Sequence, residues 1–156
     1  MKWGNIMKIL ILYVSIVIIF FNGCTRKPIE IPNALNIKVF LELLESNGFT
    51  YDKAGETSVA DSFLSVSTKH FRIDDELLAI YEYNSIEEME NDSKYISKNG
   101  FSIMQPGKNV NISWIADPYF FKKDLIIVNY CGENIRIINF LKENLGDSFA
   151  GHDYKE

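Results

Sequence analysis

The sequence predicts an α+β domain: an N-terminal helix, then two ββα units forming one antiparallel sheet covered by helices on one face. Three observations predict it. Apolar residues recur at helical spacing in three segments, each preceded by a capping residue and followed by a glycine. Four other stretches are rich in apolar, β-branched and aromatic residues and are separated by short polar turns. The two halves also share one order. FRIDDELLAIYEYNSIEEM and FFKKDLIIVNYCGENIRII each run aromatic, polar turn, apolar strand, cap, helix.

The first helix is expected from Asn33 to Gly48. Leu35, Val39, Phe40, Leu43 and Leu44 form its apolar stripe, Asn33 or Asn36 caps it, and Gly48 supplies a left-handed stop. Thr50–Asp61 is polar and reads as a loop. Phe63–Ile73 and Leu77–Tyr83 read as a hairpin around Asp74-Asp75-Glu76. Ser85-Ile86-Glu87-Glu88 fits a capping box, and the helix it opens carries Ile86, Met89 and Ile96 up to Asn99-Gly100. A turn is expected at Pro106-Gly107. Val110–Ala116 reads as a strand broken by Asp117-Pro118, with Tyr119–Phe121 resuming it. After the Lys122-Lys123-Asp124 turn, Leu125–Cys131 is the most hydrophobic strand and so belongs in the middle of the sheet. Asn134 caps a last helix, Ile135–Leu145, which Gly146 closes. The tail from Ser148 is polar and expected to fray.

Length and composition fit one folded unit. The chain has 156 residues, 47% hydrophobic and 24% charged, which are globular values. The beginning is different. Ile9 to Phe21 carries no charge, Lys2 and Lys8 precede it, and the first acid is Glu30. A short cationic segment followed by an apolar run of roughly 7–15 residues has the form of an export signal. A spanning helix needs roughly 20 apolar residues. The run ends at Phe21-Asn22-Gly23-Cys24, which resembles the lipobox of bacterial lipoproteins. The resemblance implies that residues 1–23 are a signal peptide and that the Cys24 thiol carries the lipid. Residues 24–33 would then be an extended tether, stiffened by Pro28 and Pro32, and residues 34–156 the domain. The implied location is the bacterial cell membrane, facing the exterior or periplasm. A second resemblance covers Phe63 to Gly151. YEYNSIEEMENDSKYISKNGFSI, ISWIADPYFFKK and LGDSFAG are similar to small uncharacterised bacterial lipoproteins, which implies a location and no activity.

Without residues 1–23, which hold two lysines and no acid, 14 basic residues stand against 21 acidic ones, a net charge of −7. A surface of that sign repels phosphate backbones, so nucleic acid is a poor partner. With Cys24 lipidated, Cys131 has no partner for an internal disulfide and is expected to be a buried small hydrophobe.

Chemistry is sparse. The two histidines, His70 and His152, show no metal-ligand spacing, and no cofactor is implied. The acids at 74–76 fit a turn, and those at 87–92 suit the start of a helix. No GxSxG or SxxK motif is present, and a Cys131–His70 pairing would be an accident of folding. The aromatics carry the one positive suggestion. Trp114 and Tyr119 flank Pro118, and Tyr81 and Tyr83 lie on a neighbouring strand. If they occupy a sheet face that no helix covers, they offer contact area with polar tips for an envelope protein or component. The expected function is therefore non-enzymatic binding by a lipid-anchored domain. The alternative is a hydrolase-like envelope enzyme whose site is assembled by the fold.

Overall fold

The computed structural model describes residues 34–153. The expected signal segment and tether, with Cys24, lie outside the described residues, as does the end of the tail.

Helix α1 (Ile37–Ser46) starts at Asn36, whose side chain accepts from the Val39 N–H. It is followed by β1 (Tyr51–Thr57), β2 (Thr68–Ile73), β3 (Glu76–Glu82), α2 (Ile86–Ser93), β4 (Ser102–Gln105), β5 (Lys108–Asn111), β6 (Pro118–Lys123), β7 (Ile126–Cys131), α3 (Ile135–Leu145) and β8 (Ala150–Gly151). Six strands form one antiparallel sheet in the order β1-β2-β3-β7-β6-β8, and β4 and β5 form a separate hairpin. The apolar strand β7 is interior, as its composition predicts.

Alternation along the strands creates two faces. One carries Phe71, Ile73, Leu78, Ile80, Tyr119, Phe121, Ile126, Val128 and Tyr130, packed against Phe40 and Leu44 of α1 and Ile137, Phe140 and Leu141 of α3. Burying each large apolar side chain contributes about 1.5–3 kcal/mol before entropy is subtracted. The expectation of one covered face does not hold. The second face carries Ala79, Tyr81, Phe120 and Ile127, and it is packed against Met89 of α2, Leu64, Ile96 and Ile103. The physical reason lies in the segments read from sequence as strand or loop. Residues 58–67 leave the sheet and fold over it, and the β4–β5 hairpin does the same.

Other boundaries moved for identifiable reasons. The polar stretch after Thr50 is not a loop but the edge strand β1, paired with β2 through a bulge between Lys53 and Gly55. Such a polar, kinked edge discourages pairing with other chains. Helix α2 stops at Ser93 rather than Asn99, and Ile96 instead bridges to Ile103. The strand expected at Val110–Ala116 is confined to Lys108–Asn111, and the rest crosses the second face without regular structure.

Two clasps fix the start of the domain. The Leu35 N–H donates to Asp124 Oδ2 (2.8 Å) and the Leu125 N–H to the Leu35 carbonyl (3.1 Å). The Ile37 N–H donates to Glu82 Oε1 (3.0 Å). The described chain thus enters at the end of the sheet where β3 finishes.

Candidate ligand-binding cavity

A cavity of about 370 Å³ lies on the second face. Its floor is set by strand register. Ala79 pairs with His70 of β2 and with Asn129 of β7, so the three form one row across the sheet with side chains on the same side. Ala79 contributes only a methyl group, which leaves space above it. Thr68 and Tyr81 form the next row and close the buried end. Phe63 and Trp114 wall the cavity, and the exposed residues Leu77 and Ile115 mark its rim, Ile115 being 99% exposed.

The wall is braced by polar contacts. The Trp114 indole N–H donates to the Gly100 carbonyl (2.9 Å), and its ring meets Phe63 and Phe120 edge-on, with centroids 6.4 and 6.0 Å away. The covering segment is pinned by Asp92, whose Oδ2 accepts from the Ser65 N–H (2.8 Å), the Ser65 hydroxyl (2.7 Å) and the Tyr83 hydroxyl (3.0 Å). Ser62 and Thr68 share a hydroxyl–hydroxyl bond of 2.9 Å, and Lys108 Nζ donates to the Ser62 carbonyl.

His70 is the polar group of most interest. Its Nε2 lies 2.9 Å from Thr57 Oγ1, while Nδ1 is buried without a partner. Burial pushes its pKa below the ordinary value, which keeps the ring neutral near pH 7. Burial likewise pushes the Tyr81 phenol up to about 12. Asn129 donates from Nδ2 to the Tyr119 carbonyl (3.3 Å). Asp61, exposed at the edge, is the acid among the lining residues, and no lysine or arginine lines the cavity.

The four aromatics singled out from sequence do not form one surface. Tyr81 and Trp114 line the cavity. Tyr83 is on the same face but buried, its hydroxyl spent on Asp92. Tyr119 points to the opposite face, buried in the helix-covered core and stacked on Tyr130. The open aromatic face is therefore replaced by a partly enclosed cavity, because residues 58–67 and 102–117 cover the strands. Cys131 is half-buried rather than buried, and its thiol donates to the Ala116 carbonyl (3.2 Å). Cys131 and His70 both line the cavity, but register puts them two strands apart and in different rows, roughly 12 Å between Cα atoms. The structure does not bring them together as a pair.

Sequence reasoning missed Ala79 and Asn129. The signals were present: a lone alanine within LLAIYEY and a lone asparagine within LIIVNYC, each interrupting an apolar strand. Among the described residues no three His, Cys, Asp or Glu side chains cluster as metal ligands, and no helix is long and apolar enough to cross a membrane. No family model, no curated protein and no solved structure matches this chain.

Proposed function

We propose that the chain is a membrane-anchored, extracytoplasmic lipoprotein whose domain binds a small ligand without transforming it. The observation that carries the binding half is the cavity over Ala79, with aromatic walls and a few polar groups on its floor. Concave, mostly apolar spaces of roughly 300–1,000 Å³ with a few polar groups are the usual form of ligand sites. Binding is favoured over hydrolysis because the Cys131 thiol bonds to the Ala116 carbonyl and register holds it two strands away from the His70 imidazole. The anchoring half rests on the charge-free run ending at Cys24. Its envelope partners are the membrane itself and whatever delivers or receives the ligand. The successions β2-β3-α2 and β6-β7-α3 share one order, but α2 packs on the second face and α3 on the first, so we do not read them as two copies of one ββα unit.

Palmitate labelling tests the anchor. Cells expressing the full chain should incorporate radioactive palmitate into a membrane-bound product, and Cys24→Ser should be unlabelled and released. A Cys24→Ser protein that labels and fractionates like its parent would refute lipid attachment. For binding, Ala79→Leu is the discriminating substitution, since Trp114 braces the wall and its removal would unsettle the fold.

A further inference from the structure

We infer that the cavity seats a single extended alkyl chain, inserted end-first along β3 from the Leu77 rim toward Tyr81, with its headgroup left in water. This rests on the binding reading above and names its ligand class.

The first argument is shape. Leu77, Ala79 and Tyr81 are alternate residues of β3, so they stand in file along one face of the sheet. From Leu77 to Tyr81 the strand advances roughly 13 Å. His70 and Asn129 flank the file, one strand spacing away on either side. Their Cα atoms are about 9–10 Å apart, their side chains narrow the gap further, and the Ala79 methyl is its low point. The hollow is thus longer along the strand than across it. Buried Tyr81 and Thr68 close one end, and Leu77 at the other end is exposed. Such a trough suits a chain lying parallel to β3. With C–C bonds of about 1.5 Å, an extended chain advances about 1.3 Å per carbon, so roughly ten carbons fill it.

The second argument is that the polar atoms of the lining are already engaged. The Trp114 N–H goes to Gly100, and the Ser62 and Thr68 hydroxyls bond to each other. Asn129 Nδ2 donates to the Tyr119 carbonyl and the Cys131 thiol to the Ala116 carbonyl. His70 Nε2 meets Thr57, and His70 Nδ1 is shielded from contact. A polar occupant would have to break these bonds or leave its own groups unpaired. An alkyl chain requires none of them. No lysine or arginine lines the cavity, so nothing draws a charged headgroup inward.

The third argument is the lip. Leu77 and Ile115 are both exposed beside the opening. They continue the apolar path past the hollow, so carbons next to the headgroup still lie against apolar surface.

The test uses the full chain carrying Trp3→Phe in lipid nanodiscs, where Trp114 is the remaining tryptophan. Trp114 packs on Phe120, which pairs with Asn129 in the Ala79 row, so a bromine at mid-chain lies where it quenches the indole. The probe is 5-bromodecan-1-ol, its free concentration corrected for uptake by protein-free nanodiscs. Quenching is expected, reversed by decan-1-ol and lost in Ala79→Leu. Should that variant fail to fold, reversal by decan-1-ol is the control for specificity. As competitors, unbranched alcohols should tighten about fourfold per carbon from hexanol to decanol, and by less than about twofold in all from decanol to tetradecanol. A rise continuing to tetradecanol, or none from hexanol to decanol, would overturn the blind trough. Displacement by decan-1-ol but not by decanoyl-lysophosphatidylcholine would support a chain on a free amphiphile; displacement by both would support a chain still carried by a phospholipid. Two cyclic ten-carbon alcohols, 1-adamantanol and 2-naphthol, are followed by saturation-transfer NMR. If either binds while 5-bromodecan-1-ol does not quench, the alkyl chain is overturned and the binding reading stands. No quenching, and no transfer above protein-free nanodiscs, would overturn both.

Discussion

Replacing Asp92 by alanine tests how the cavity wall is held. Asp92 is 5% exposed, and one of its oxygens accepts three hydrogen bonds of 3.0 Å or less. Two come from Ser65, which is itself exposed, so water can replace the carboxylate there. The third comes from Tyr83, which is 3% exposed; its hydroxyl would be stranded. Leaving a buried hydroxyl unpaired costs about 1–3 kcal/mol, and each charge-assisted bond lost to a solvated partner about 1 kcal/mol. The sum is about 3–5 kcal/mol, a large share of the roughly 5–15 kcal/mol that stabilises a domain. For about 120 residues this lowers Tm by roughly 12–20 °C. Urea denaturation followed by far-UV circular dichroism, with Trp114 emission as a second probe, measures it. In the chain carrying Trp3→Phe, Trp114 is the remaining tryptophan. Tyr83→Phe removes the stranded hydroxyl, so Asp92→Ala with Tyr83→Phe should cost less than the two single losses added together. A loss under 1 kcal/mol in Asp92→Ala, or strict additivity, would refute the pinning role.

Two further predictions follow from local geometry. A Cβ at Gly132 would fall inside contact distance of the Tyr130 hydroxyl and Glu76 Oε2, which are themselves hydrogen-bonded; Gly132→Ala should cost about 1–3 kcal/mol in urea denaturation, and no loss would show that the pair has room to shift. Because burial lowers the His70 pKa in the folded state, the unfolded chain binds more protons near pH 6, and stability should fall as pH drops through the ordinary value of 6.5. His70→Gln should flatten the stability profile between about pH 7 and 5.5, and an unchanged slope would count against a buried neutral imidazole.

The sequence was most legible where a periodic stripe had caps at both ends. Ile135–Leu145 matches its expected bounds, because Asn134 caps the Arg136 N–H and five apolar residues face one side. Asn36, one of two proposed caps, is the one used, and the turn at Pro106-Gly107 joins β4 to β5. Legibility failed where tertiary contacts override local pattern. Tyr51–Thr57 has the composition of a loop and becomes a strand because β2 offers an edge. Phe63–Ser67 has the composition of a strand and becomes a cover because Asp92 captures Ser65. Helix α2 ends early for the same reason, since Asp92 sits near its last turn and turns inward. The cavity needed strand order and register together. No spacing in the chain announces that residues 70, 79 and 129 form one row.

The position of Leu35 has a consequence for how such a protein would stand on a membrane. Its clasp to Asp124 and Leu125 lies at the end of the sheet where β3 finishes, whereas Leu77 and Cys131 lie at the other end. Five or six strand residues, roughly 16–20 Å, separate the two. Were residues 24–33 the tether proposed above, it would join the domain at the sheet end remote from the cavity rim, leaving the opening on the part of the domain free to face the aqueous side.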